Sequence, residues 1–188
     1  KKIENIKKAC GGNIKTLPPV YLLHGDLDDA QMNELYNHHK IKAMVSLTHG
    51  EGFGRPLLEF ATTGKPIMAS DWSGQVDFLN KGYTTLLPGE LKNVPKDSFP
   101  KNIYVEEAKW FVVNYGVVRS MLKNITKNYK KFKKKALKQQ QFSKKFTRDK
   151  MTEKLGEILD AYLPIPVEEV DIKLPKLKKV NLPKLKKL

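Results

Sequence analysis

Between Ala43 and Ala69 the chain reads as strand, glycine loop, helix and strand in close succession. Ala43–Leu47 is a short apolar run of the length a buried strand needs. His49–Gly54 follows it as a loop with glycines at 52 and 54. Pro56 stands where a first helical residue belongs, because its fixed φ suits the helix and its missing N–H costs nothing there. Arg55–Thr62 is then the helix behind the loop, and Ile67–Ala69 the next strand. Such alternation predicts a parallel sheet covered on both faces. Ligands of these sheets bind beyond the carboxyl ends of the strands, and residues 51–54 lie at such an end.

The rest of the chain extends this pattern. Lys2–Ala9 reads as a short amphipathic helix ended by Gly11-Gly12. Val20–Leu23 is expected as a buried strand, after which Gly25 turns the chain. Asp28-Asp29 open a helix through about Tyr36 that carries Met32, Leu35 and Tyr36 on one face. Gln75–Leu79 suggests a brief helix and Thr84–Leu87 a further strand. Residues 88–104 hold Pro88, Pro95 and Pro100 and read as a surface loop. From there to about Tyr162 the pattern is helical. Val105–Leu122 has Trp110, Phe111, Val113, Val117 and Met121 to bury, and Leu155, Ile158, Leu159 and Tyr162 are expected to face the chain's own core, with a partner domain as the alternative. The fold class is therefore α/β: a Rossmann-like parallel sheet flanked by helices over residues 1–163, closing helices included. An extended Pro/Lys/Leu-rich tail follows at 164–188.

Charge is unevenly spread. The formal net charge is +15. Residues 1–122 hold 15 basic and 13 acidic residues, a net +2, while residues 123–188 hold 20 and 7, a net +13. A positive surface of this size attracts nucleic acid, anionic lipid or an acidic protein. The plainer reading of Lys127–Lys138 is a solvated helix face, since Tyr129 and Phe132 recur at a spacing that suits packing better than base stacking. Nucleic acid is thus the less favoured partner. In the tail, Leu174–Lys179 recurs as Leu182–Lys187, and Pro175 and Pro183 forbid a continuous helix. Residues 172–188 are read as a docking peptide for a protein partner, added to a sheet edge or lying in a groove.

Cys10 is the sole cysteine, so an internal disulfide is impossible and a reducing compartment is expected. No apolar run approaches the roughly 20 residues of a membrane span. The expected location is cytoplasmic, or within a viral or bacterial assembly. His24, His38, His39 and His49 have no cysteine or acid cluster beside them to complete a metal site, so neither metal nor cofactor is expected.

The loop itself suggests phosphate chemistry. Glycines allow backbone N–H groups to approach phosphate oxygens, and a helix N-terminus adds positive potential. Glu59 lies one turn further on, about 5 Å along the axis, a step that fits the distance from a phosphate to a ribose diol. Each charged hydrogen bond to a hydroxyl contributes about 1.5–3 kcal/mol. Glu51 precedes the loop, and the two carboxylates are expected to face one cavity.

The stretch from His49 to Ser70, HGEGFGRPLLEFATTGKPIMAS, closely resembles the core signature of family-four retaining glycosyltransferases. That signature has two glutamates with seven residues between them (Glu51 and Glu59), a GFG loop (Gly52-Phe53-Gly54), a G-x-P (Gly64-Lys65-Pro66) and a short apolar strand. Asp71-Trp72-Ser73-Gly74 and Asp77-Phe78-Leu79 resemble a subset of the same family. The likeness runs from about Val20 to Leu163 and is specific between residues 48 and 79. It implies the later part of the second, donor-binding domain of a two-domain enzyme. The acceptor-binding domain, and a basic loop that meets the diphosphate, would then lie outside this chain. By resemblance Glu59 binds the ribose of a nucleotide sugar and Glu51 is the catalytic candidate near the donor sugar. Gly52, Phe53, Gly54, Arg55, Pro56 and Leu57 meet the diphosphate, and His49 and Gly25 join the donor site. Arg55 stands where the family is usually apolar, and whether it meets phosphate or solvent is open. The implied activity is metal-free sugar transfer with retention. Two alternatives stand beside it: a non-catalytic interaction module docked through its tail, and nucleic-acid binding through the basic half.

Overall fold

Asp28 starts the first helix described, α1 (Asp29–Asn37). Its carboxylate accepts from Gln31 N–H at 2.8 Å, and the Gln31 side chain accepts from Asp28 N–H at 3.0 Å. This reciprocal capping box satisfies two donors that a helix start leaves unpaired. Met32, Leu35 and Tyr36 are half-buried along one face, as the spacing predicts. The computed structural model describes residues 18–99, 103 and 105–163, together with Glu4, Asn5 and Lys8, which are helical. The rest of the Lys2–Ala9 segment, Gly11-Gly12 and the whole 164–188 tail with its repeat lie outside the described residues.

Strands β1 (Met44–Ser46), β2 (Ile67–Ser70) and β3 (Thr85–Leu87) form a parallel sheet in the order β1-β2-β3. The register aligns Met44 with Ile67 and Met68 with Thr85. Every residue of β2 is buried, so both faces of the sheet are covered. Side chains alternate across a strand, and the two faces have different partners. Met68 meets Leu87, Val118 and Ile125 in one cluster. Helix α2 (Arg55–Ala61) packs on β1 and β2 and buries Leu57, Phe60 and Ala61. Each such large apolar side chain contributes roughly 1.5–3 kcal/mol when fully buried. The first compact unit is thus α/β, a three-stranded parallel sheet flanked by helices.

Two expectations about strands need correction. Val20–Leu23 forms no strand, and its four side chains are exposed. An apolar run supplies no hydrogen-bond partner, and among the described residues no strand pairs the outer edge of β1. Among residues 88–113, those described (Pro100 lies outside them) are not simply a loop entering a helix. They hold an antiparallel hairpin of β4 (Gly89–Asn93) and β5 (Lys109–Val113). Pro88 precedes β4 and Pro95 follows it, so neither interrupts the ladder. A Cβ on Gly89 would fall 2.3 Å from Val112 O, so a side chain there would disrupt the pairing. In β5 Phe111 and Val113 turn into the core, which is a strand's alternation.

The helical region is three separate helices. Asn114 caps α3 (Tyr115–Lys127) by accepting from Gly116 and Val117 N–H. A break at Asn128 precedes α4 (Tyr129–Ser143). Helix α4 packs on α2 and α3 and closes the end of α2. Lys133 Nζ donates to Gly64 O at 2.6 Å and Gln140 Nε2 to Thr62 O at 2.6 Å, answering carbonyls that the last turn leaves open. Gln139 is buried and tied on three sides. Its amide donates to Phe78 O and Ser143 Oγ, and its carbonyl accepts from Asn80 N–H. Lys65 likewise closes α1, donating to Tyr36 O and His38 O. Burial, then repulsion from Lys133 and Lys42, holds its pKa below the usual lysine value.

Contacts divide the chain after Lys144, and the second unit runs from Lys145. Its helix α5 (Arg148–Tyr162) starts at a Thr147 cap and carries Lys150–Glu153 and Lys154–Glu157 pairs. Leu155, Ile158, Leu159 and Tyr162 are exposed along it, not packed into a core as expected. No large apolar side chain on α5 is half-buried or better, so its i,i+3 ion pairs supply local support instead.

Candidate functional site

The loop from His49 to Gly54 leaves the carboxyl end of β1 and enters α2. Gly54 is the N-cap residue, with φ 90° and ψ 43°. That left-handed conformation disfavours other residues, and no side chain caps the helix. Leu57 N–H donates to Gly54 O at 2.9 Å, and its side chain is buried. Pro56 has no N–H to offer. The N–H groups of Gly52, Phe53 and Gly54 find no acceptor among the described residues. A Cβ placed on Gly52 would meet nothing within 4 Å, so space lies open there, whereas one on Gly54 would meet Gln75, Leu57 and Phe78.

Glu51 is held from across the site. Ser73 Oγ accepts from Glu51 N–H at 3.2 Å and donates to Glu51 O at 2.6 Å. Gly74 N–H donates to the same carbonyl at 3.0 Å. Ser73 adopts φ 74° and is the one non-glycine with positive φ among the described residues. Such backbone strain persists only where its surroundings over-determine it. Gly74 abuts the loop so closely that a Cβ would lie 2.2 Å from Gly52 O. Beneath, Gln75 is buried and donates to Ser70 O and Oγ. Gln75 Oε1 and Thr48 Oγ1 are buried without a partner, which leaves the floor polar.

Glu59 lies on α2 and lines an open cleft of about 480 Å³ with Asp29, Asn33, Tyr36 and Arg55. Arg55 Nε meets Glu59 Oε1 at 2.9 Å, so its contact here is the carboxylate. The pair is exposed, with side chains 79% and 44% accessible, and an exposed i,i+4 pair contributes only about 0.3–0.5 kcal/mol. Burial and the Glu59 charge raise the Tyr36 pKa, with Arg55 opposing. Tyr36 therefore stays a neutral donor and acceptor in this cleft across the physiological range. Glu51 is not among the lining residues, so the cleft that Glu59 faces is not one that both carboxylates line.

His49 is exposed and stacks on Trp110 with ring centroids 4.0 Å apart. Its Nδ1 donates to Phe111 O at 2.7 Å, so that nitrogen carries a proton. Trp72 stacks on Phe111, and Phe53 packs against Phe78 while remaining 41% exposed. Gly25, at φ 143°, is exposed and does not line the cleft. Sequence reasoning assigned no role to Ser73, Gly74 or Gln75, nor to the α1 side of the cleft. The Ser73-Gly74 dipeptide is a turn signal, and Asp29, Asn33 and Tyr36 recur at helical spacing; those are the signals that could have found them.

Among the described residues, no cluster of three His, Cys, Asp or Glu side chains could hold a metal ion. No helix there is long and apolar enough to cross a membrane. Comparison of the chain with protein-family models and with curated proteins gives no match.

Proposed function

We propose that this chain is the donor-binding part of a retaining glycosyltransferase, moving a sugar from a nucleotide diphosphate to an acceptor. The observation that carries the reading is the row of acceptorless N–H groups at Gly52, Phe53 and Gly54, at the mouth of a parallel sheet and just before a helix. Fixed donors of this kind suit a diphosphate whose charge grows as it departs. Glu59 stands one turn away in a cleft wide enough for a ribose. Its weak pairing with Arg55 leaves it open to a diol. Glu51, fixed through its backbone by Ser73, serves the donor sugar.

Isothermal titration with a panel of nucleotide sugars tests this. Glu59→Ala is expected to weaken binding by the equivalent of about 1.5–3 kcal/mol, the worth of a charged hydrogen bond. Glu51→Ala should lower turnover more than affinity. Unchanged affinity in the Glu59 variant would remove that residue from the site. A second reading, a non-catalytic interaction module, is favoured by the exposed Val20–Leu23 run, since a contiguous apolar patch marks contact with a partner.

A further inference from the structure

Every charged side chain from Lys123 to Lys144 is a lysine. On α4, Lys131, Lys134, Lys135 and Lys138 stand at i, i+3, i+4 and i+7 and so share a face. The buried Ala136, Gln139 and Ser143 lie to one side of this face, with Lys135 one turn before Gln139. All four are exposed, and none makes an ion pair among the described residues. Helix α5 of the same chain is different, because its Lys150 and Lys154 each pair with a glutamate. The like charges on α4 repel at i,i+4 spacing, and nothing on the helix offsets them. Lys131 and Lys135 also line a concave cleft of about 330 Å³ that includes Asp71, Lys81, Thr85 and Asn124. Lys81 is paired with Asp71 at 2.8 Å.

We infer that this stripe and cleft form a track for single-stranded nucleic acid, held through its phosphates without regard to sequence. A cleft of this volume admits a nucleotide-sized group. Thr85 and Asn124 offer neutral hydrogen bonds beside the two free ammonium groups. Phe132 packs against the core and Tyr129 donates to Lys42 O, so neither is a stacking platform and the attraction is electrostatic. A lipid leaflet fits less well, because Leu137 is the one exposed large apolar side chain on α4 and the rest are half-buried or buried, too little to enter the acyl region. An acidic peptide must immobilise its flexible carboxylate side chains on binding, whereas a phosphodiester carries its charge on the backbone. The inference does not depend on the sugar-nucleotide reading.

Fluorescence anisotropy of labelled oligothymidylate with the full chain, over a salt series, tests the track. The slope of log affinity against log salt is about −0.7 per phosphate contact for a single strand. Lys131→Gln with Lys135→Gln is therefore expected to flatten the salt slope by about 1.4 and to weaken binding at low salt. Lys150→Gln with Lys154→Gln removes the same charge elsewhere and should leave the slope unchanged. Equal effects from the two pairs would assign the binding to net charge and overturn the track. So would a lack of oligothymidylate binding, or phosphatidylserine vesicles or polyglutamate depending on Lys131 and Lys135 more strongly than the oligonucleotide does.

Discussion

Gly52 and Gly74 face each other across the site, and the same substitution should act on them in opposite ways. Neither has a positive φ, so an alanine is judged by space alone. At Gly74 a Cβ falls 2.2 Å from Gly52 O, 2.7 Å from Gly52 C and 2.8 Å from Phe53 Cα. These are backbone atoms, so the Glu51–Phe53 strip must retreat by close to an ångström. Overpacking of this kind costs about 1–3 kcal/mol. The retreat also loosens the Gly74 and Ser73 bonds to Glu51, each contributing about 0.5–1.5 kcal/mol. Gly74→Ala is therefore expected to destabilise the first unit by about 2–4 kcal/mol. At Gly52 the Cβ meets nothing within 4 Å, and Gly52→Ala should be neutral or stabilise by about 0.4–1 kcal/mol through the unfolded chain. Urea denaturation followed by tryptophan fluorescence reads the difference, because Trp72 and Trp110 both lie in the first unit. A Gly74→Ala midpoint matching the native chain would refute the packing reasoning, as would a Gly52→Ala loss of similar size.

Gln139→Leu removes the acceptor of Asn80 N–H and both bonds made by the Gln139 amide; a loss of about 2–4 kcal/mol is expected from thermal or urea unfolding. Burial raises the Tyr129 pKa above its ordinary value of 10.0, so the folded chain keeps that proton longer than the unfolded one. The stability Tyr129 adds is then fully present below pH 10 and is lost as pH rises through the raised folded value. The gap in unfolding free energy between the native chain and Tyr129→Phe should therefore shrink from pH 9 to 11, and a gap that stays constant would contradict a raised pKa from this partial burial.

The parallel strands were legible because each is a short apolar run bounded by glycine, proline or aspartate. Helix α1 was legible from Asp28 and its spacing, and α2 from Pro56. The hairpin was not, because three prolines over residues 88–104 outweighed the apolar content, and Trp110–Val113 fits a helix as well as a strand. Its aromatic and β-branched residues favour a strand, and Asn114 was the unused sign that a helix starts only afterwards. Val20–Leu23 misled because hydrophobicity alone does not name a pairing partner. In the site, the position of the loop followed from glycine and proline chemistry. The Ser73 clamp did not, since a serine with positive φ and a contact across 22 positions leave no local trace. The Arg55–Glu59 pair was within reach of an i,i+4 rule, but the same arginine stands beside a phosphate-type loop, and sequence does not say which anion it meets.

One serine oxygen engages both the amide and the carbonyl of a glutamate 22 positions earlier. The orientation of Glu51 is thereby written in two separate stretches of the gene product. A chimera joined anywhere between them would have to carry a matching Ser-Gly pair along with the glutamate. Residues 51 and 73–74 thus behave as one inherited piece, and a graft of the EGFG loop alone would bring the letters without the posture.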